Sequence, residues 1–334
     1  MDPTVVAAWI AAGVSVLTLA GTLAAQYVGY HASSRDAEKT AEEQRKQLDR
    51  TLAEQNQHLD RTLAEQNQQL DRTLAEQRTR TLNERFATAA EQLGSDKPAV
   101  RLAGVYAMAG LADDWPENRQ TCVDVLCAYL RIPYAPDPGQ DAPRPEQLAF
   151  QGFREVRHTV IRVITVHLRT AAAVSWQCLH FDFTGVVFDG GDFARAQFSS
   201  GIANFNRARF SGGIVRFYSA EFSGGTVFFR SAEFSDSSVD FGDAEFSGGE
   251  VDFIGAEFSG GKVYFDGARF PGGTVTFRGA EFSGSVTTFT RAEFSGGTVD
   301  FSQVNDWSFP PKFPWADIPP AGVQIPTKRA TSDP

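Results

Sequence analysis

Hydrophobic and polar positions change rhythm several times along the chain, and each rhythm predicts a different element. Residues 5 to 30, VVAAWIAAGVSVLTLAGTLAAQYVGY, carry no charge. At 1.5 Å per residue about 20 such residues span the hydrocarbon core of a bilayer, so the run predicts a transmembrane helix with lipid as its partner over residues 5–30. It is longer than the apolar core of a signal peptide, and the leader MDPT has no Lys or Arg, which favours an uncleaved anchor over a secretory signal. Arg35, Lys39, Arg45, Lys46 and Arg50 follow the span, against only the terminal amine before it. That bias predicts a single-pass protein of the cell membrane with its C-terminal part in the cytoplasm.

The next rhythm has a period of eleven: LDRTLAEQNQH LDRTLAEQNQQ LDRTLAEQRTR, with Leu48, Leu59 and Leu70 in one column and Leu52, Leu63 and Leu74 in a second. Eleven residues make three helical turns at about 3.67 residues each, so a helix keeping this stripe on a partner winds slightly right-handed. Gln55, Gln66 and Gln77 share the seam, which thins it and favours one register. Arg50 with Glu54, Arg61 with Glu65 and Arg72 with Glu76 stand at i,i+4 spacing and are expected to pair. The pattern predicts a parallel homo-oligomeric coiled-coil stalk; the alternative is a lone solvated helix acting as a spacer.

From Arg85 a compact helical texture begins. The first helix is expected to end at Gly94, Ser95 or Asp96 to cap a second that has Pro98 near its start, and Pro116 to open a third. Leu102, Val105, Tyr106 and Leu111, then Val123, Leu126 and Leu130, recur at helical spacing and predict a buried stripe. The stretch RLAGVYAMAGLA resembles the second helix of HEAT and armadillo units, but one unit alone fits a packed helical bundle as well. After a Pro-rich linker, a further helix carries Phe153, Val156, Val160, Val163, Ile164 and Leu168 on one face. Arg154, Arg157, His158, Arg162 and Arg169 make much of the rest basic. That side is either a solvated helix face or a surface that docks on an anion.

From Ala196 to Gln303 the chain consists of nine twelve-residue units. Ala holds position 1 and Phe holds positions 3 and 10 in all nine, Val usually holds position 8, and Gly-Gly usually holds positions 5 and 6. Two columns thus take 18 of the chain's 28 Phe. Such spacing marks a solenoid, in which a unit cannot bury its own apolar face and stacks on copies of itself. The inward columns include Phe198, Phe210, Phe222, Phe234, Phe246 and Phe258 at position 3, and Phe253, Phe265 and Phe277 at position 10.

Each unit divides into two similar pentads, AEFSG and VYFDG in the Ala256 unit, with two residues inserted between them. Upstream, Phe183, Phe188, Phe193 and Phe198 are five apart without the insertion. DFTG, AEFSG and VDFIG resemble the motif of the pentapeptide-repeat family. The resemblance implies a right-handed quadrilateral parallel β-helix, one pentad per side, small and aromatic residues inward. Glu in place of Asp/Asn, and the recurring insertion, depart from the family pattern. With four sides kept, a coil takes 24 residues and nine units make 4.5 coils; a twelve-residue coil is the competing geometry. Trp307, Phe309, Phe313 and Trp315 are available to cover the far end, and disorder is expected after Thr327.

The expected order is an all-α part followed by an all-β solenoid: an anchor over residues 1–34, the stalk over 35–80, a helical module over 81–135, a linker over 136–152, a capping helix over 153–178, the solenoid over 179–309, and a C-terminal cap and tail over 310–334. A net charge of −10 argues against nucleic acid as a partner, because phosphate binding requires a basic surface. Cys122, Cys127 and Cys178 lack metal-ligand spacing, and the first two fall in an apolar run that predicts burial. The sequence holds no nucleophile elbow, zinc motif, P-loop or dinucleotide fingerprint, so no catalytic residue, metal or cofactor is assigned and no enzyme is expected.

Between Asp182 and Asp306 stand 17 Asp/Glu against 9 Lys/Arg. In 24-residue coils Glu233, Glu257 and Glu281 stack in one ladder, and Glu221, Glu245 and Glu293 in another with Arg269 between. Either the large core tolerates these ladders, or they bind a basic partner. The function expected is a non-catalytic, membrane-anchored scaffold for an unidentified protein partner. The alternative borrows from family members that mimic DNA with an acidic rod and occupy a type II topoisomerase.

Overall fold

The computed structural model describes residues 2–135 and 137–326, without the side chains of residues 31–36. The Arg35 side chain and the tail after Thr327 therefore lie outside the described residues. The chain falls into two compact units, residues 1–79 and 80–334.

Helix α1 spans Pro3–Leu93, and its residues through Thr79 form the first unit. Within it Pro3–Tyr30, 28 residues, is long and apolar enough by length and composition to cross a membrane. The hydroxyls in this run donate one turn back: Ser15 to the Ala11 carbonyl at 2.8 Å, Thr18 to Val14 at 2.9 Å and Thr22 to Thr18 at 3.0 Å. Their polarity is thus satisfied inside the helix, as a bilayer requires. Further along, the two leucine columns face solvent, with Leu48, Leu52, Leu59, Leu63, Leu70 and Leu74 between 47% and 59% exposed. The three repeated Arg–Glu pairs do not form, whereas Lys46 pairs with Glu42 at 2.7 Å and Arg80 with Glu84 at 2.9 Å. Such exposed pairs are worth about a few tenths of a kcal/mol, too little to hold two long side chains together.

The second unit opens with the last turns of α1, which stop where the Gly94 N–H donates to the carbonyls of Ala90 and Glu91. Helix α2 follows over Pro98–Asp114, then a 3₁₀ turn at Pro116–Asn118, α3 over Arg119–Arg131 and α4 over Arg144–Leu168. Neither Ser95 nor Asp96 caps α2. Lys97 holds that position because a residue before proline is driven to extended backbone, here φ −92° and ψ 118°. Val105, Met108, Leu111, Cys122, Leu126, Val156, Val160 and Ile164 are buried between the helices. Tyr106, by contrast, is 57% exposed and no part of the buried stripe. Helix α4 starts inside the stretch that reads as a linker. Pro143 takes its N-cap position and Pro145 its first turn, where a missing N–H leaves no bond unmade.

The solenoid is a four-sided parallel β-helix. Phe181, Ala203, Val227, Val251, Val275, Val299 and Val323 stand in register along one face of seven strands. The first step is 22 residues and each later one 24, because the first coil has one insertion fewer. This register excludes the twelve-residue coil. The four faces alternate between the Val-bearing strands and the Glu-Phe strands. Along the rod Phe stacks on Phe: Phe229 on Phe253 and Phe253 on Phe277, both at 4.8 Å, the spacing of paired strands. Across the bore rings meet edge to face, as Phe229 and Phe241 do at 5.9 Å and 84°, which suits the ring quadrupoles.

Corners carry their own chemistry. Asp240, Asp252 and Asp300 each accept the N–H two residues on at 2.7 to 2.8 Å, a turn that Asp makes with its own side chain. Gly261 has φ +65°, and a Cβ there would run into the Ser237 carbonyl of the coil beneath. Glycine is not the rule before the repeated Ala, however: Arg207, Ser231 and Asp243 adopt φ of 52° to 55° at that corner.

Both ends of the rod are covered. In the second coil, the carbonyls of Asn204, Arg216 and Tyr218 accept N–H groups from the coil before. Their first-coil counterparts, Asp182, Asp192 and Ala194, have no coil before them. They accept instead from Arg131 at 2.9 Å, Thr165 at 2.7 Å and Arg169 at 3.2 Å. Arg157, 2% exposed, bridges the Leu130 and Val187 carbonyls at 2.7 and 2.8 Å. Gly191 stands where later coils place Val215 and Val239, and Ile161 of α4 fills the space its side chain would take. An exposed sheet edge is thereby paired, not left as a template. At the far end Val323–Gln324 adds a strand to the seven-stranded face, so the solenoid continues beyond residue 309. Phe313 stacks on Phe289 at 5.3 Å and Trp315 meets Phe294 edge-on at 5.3 Å, whereas Phe309 points outward, 55% exposed.

Candidate interaction surfaces

Position 2 of each unit lies on a Glu-Phe strand, whose Phe turns inward and whose preceding residue therefore turns out. Phe198, Phe210, Phe222, Phe234, Phe246, Phe258, Phe253, Phe265 and Phe277 are all buried. The outward residues form two columns on opposite faces. One column runs Val187, Arg209, Glu233, Glu257, Glu281 and Asp306. The other runs Gln197, Glu221, Glu245, Arg269 and Glu293.

The two columns differ in how their charge is met. In the second, Arg269 reaches Glu245 at 2.5 Å and Gln197 donates to Glu221 at 2.9 Å. The Glu245 carboxylate, by hydrogen bond and by charge, raises the Arg269 pKa further. In the first, three glutamates stand in succession with Arg209 at one end and Asp306 at the other. Glu257 has a like charge on either side, at a separation where repulsion costs stability.

The most concentrated polar cluster joins residues far apart in sequence. Asp189 accepts from the Tyr134 hydroxyl at 2.7 Å, Arg154 Nε at 2.8 Å and His158 Nε2 at 2.9 Å. Burial pushes the Asp189 carboxyl up, but the hydrogen bonds from His158 and Tyr134 and the charges of His158 and Arg154 outweigh it and hold the group at about 2. Burial, and then the bond to Asp189, pushes the Tyr134 phenol well above its usual range. The cluster fastens the chain before α4, and α4 itself, onto the first coil. Sequence reasoning missed it. Its one signal was Asp189 in a column where later coils place Ser211 and Ser235.

The basic side of α4 is thus largely engaged: Arg154, Arg157, His158 and Arg169 all bond to the first coil. Cys122 and Cys127 are buried, and burial pushes their thiols up to about 11 and about 12; Cys178 is exposed.

A family model described as pentapeptide repeats (9 copies) matches residues 248–287, in the middle of the rod. The repeat region belongs to the pentapeptide-repeat family. Among curated proteins and among solved structures, none matches it. In this pentapeptide-repeat solenoid the small and aromatic columns face inward, and the Glu-for-Asp departure falls on outward positions of two opposite faces.

Proposed function

We propose that this protein is a non-catalytic scaffold, held at the membrane by Pro3–Tyr30 and presenting a rigid solenoid to a protein partner in the cytoplasm. The observation that carries this reading is the division of labour within the repeat. Every inward column is spent on packing, and what varies in charge and shape stands on flat outer faces, which suit a protein surface. The Glu233–Glu257–Glu281 column, in which Glu257 has a like charge on either side and Arg209 stands at one end alone, is the surface proposed for a partner of basic character. The exposed leucine stripe of α1 supports association of copies through the stalk.

Proximity labelling from the C-terminus in living cells tests this proposal, comparing the parent chain with one carrying Glu233→Gln, Glu257→Gln and Glu281→Gln. Neighbours enriched with the parent and lost with the variant support the surface. An unchanged neighbour set removes it. A reporter active only on the far side of the membrane, fused after Pro334, is expected to stay silent, and its activity would reverse the orientation.

A further inference from the structure

Where α4 lies along the first two coils, a groove of about 470 Å³ opens beside the Asp189 cluster and shares Arg154 and His158 with it, within the size range of small-ligand sites. One wall is a single stripe, Arg154, His158 and Arg162 of α4 and Arg169 just past its end. Arg216 of the second coil closes the other side, above a floor of Gly190 and Gly191. Four arginines therefore meet one carboxylate, Asp192, on a protein whose net charge is −10. Structural duty explains only part of this concentration. Arg154 is committed to Asp189, and Arg169 spends its Nε on the Ala194 carbonyl. Arg162 spends one amino group on Thr159 and Glu155, at 2.7 and 3.3 Å. Arg216 is exposed and has no side-chain partner among the described residues. Asp192 is itself engaged, accepting the Ala194 N–H at 2.9 Å. Uncommitted guanidinium groups on both walls of a concavity form the donor array that recognises a phosphate.

We propose that this groove binds a small phosphate-bearing ligand, with its phosphate between Arg162, Arg169 and Arg216. The site is independent of the scaffold reading, because the Glu columns and the stalk play no part in it. Gly190 belongs to the same design. A Cβ there would stand 3.2 Å from the His158 ring, so a side chain would crowd the floor.

The test is calorimetric titration of the full chain in zwitterionic nanodiscs with inorganic pyrophosphate, ionic strength being held constant with chloride. One saturable site is expected. Arg162→Gln with Arg216→Gln should weaken it about tenfold or more. Arg207→Gln with Arg291→Gln, which removes the same charge elsewhere on the rod, should leave it unchanged. Neither Arg162 nor Arg216 caps the coil edge, so thermal unfolding of the first pair should match the parent, and Arg216→Gln alone provides a milder version. Equal weakening by both pairs, or no saturable site, overturns the proposal. So does binding confined to vesicles containing phosphatidic acid, because the phosphate would then be a lipid headgroup instead of a soluble ligand.

Discussion

The stalk and the solenoid are both written as strict repeats, of eleven residues and of twelve, yet one leaves its apolar columns in solvent and the other buries every Phe of its two columns except Phe294 of the last unit. Leu59 is 55% exposed, whereas Phe253 is fully buried. The difference lies in what each period can close. A twelve-residue unit turns two corners, so two units return the chain to its starting face and every coil becomes the partner of the next. An eleven-residue unit returns a straight helix to the same side after three turns, and nothing within that helix can cover the side. Periodicity announces that a surface recurs. Whether the chain itself supplies the cover depends on the backbone's path.

The largest expected effect breaks the closed half of this comparison. Phe253→Ala removes a ring that stacks at 4.8 Å on Phe229 and on Phe277. With coils above and below it, the site has little room to collapse. A loss of about 3 to 5 kcal/mol is expected, read by chemical denaturation of residues 80–334. An unmoved midpoint would mean that the stacked rings are not what holds the coils together.

Next in size is the closure of the rod's first coil. Because the folded Asp189 carboxyl titrates at about 2, below its usual value, the native state binds fewer protons than the unfolded one over that interval. Its contribution is present above about pH 4 and is lost as the pH falls toward 2. Asp189→Asn should therefore cost on the order of 2 kcal/mol at neutral pH and flatten the acid limb of the stability curve between pH 4 and 2. An acid limb identical to the parent's would place the cluster outside the cooperative unit.

The open half is tested by association. Leu59→Ser, Leu63→Ser and Leu70→Ser together should convert residues 35–334 from a dimer or larger species to a monomer in analytical ultracentrifugation, with the solenoid's circular dichroism unchanged. A monomeric parent at high micromolar concentration would leave the stalk as a spacer.

Much of the rod was legible because its signals are local and repeated: the Phe columns, the Ala column and the paired insertions all follow from counting. What stayed hidden depended on single residues meeting across long separations. The basic stripe of α4 looks like a free face until Arg157 is seen to bridge the Leu130 and Val187 carbonyls, 27 and 30 residues away. No periodicity encodes that bond; it exists because a first coil has carbonyls and no predecessor. The prolines around residue 143 misled for a related reason. They punctuate loops and also begin helices, and only the packing of α4 on the first coil decides between the two.

The smallest effect is the most discriminating, because it predicts opposite signs for the same substitution on two faces. Glu257 lies between Glu233 and Glu281 in register, so Glu257→Gln removes two like-charge contacts and no attractive one. It should be neutral or stabilising, by tenths of a kcal/mol up to about 1. Glu245 occupies the corresponding position on the opposite face, but its neighbours are Glu221 on one side and Arg269 on the other, the latter at 2.5 Å. Glu245→Gln removes one repulsion and one charge-assisted bond. It should be mildly destabilising, by about 1 kcal/mol or less, since the pair is partly exposed. Both shifts should shrink in 1 M salt, where the screening length falls to about 3 Å. If Glu257→Gln destabilises strongly and salt does not soften it, the column is bonded to something other than its own neighbours, and its charge is not free for a partner.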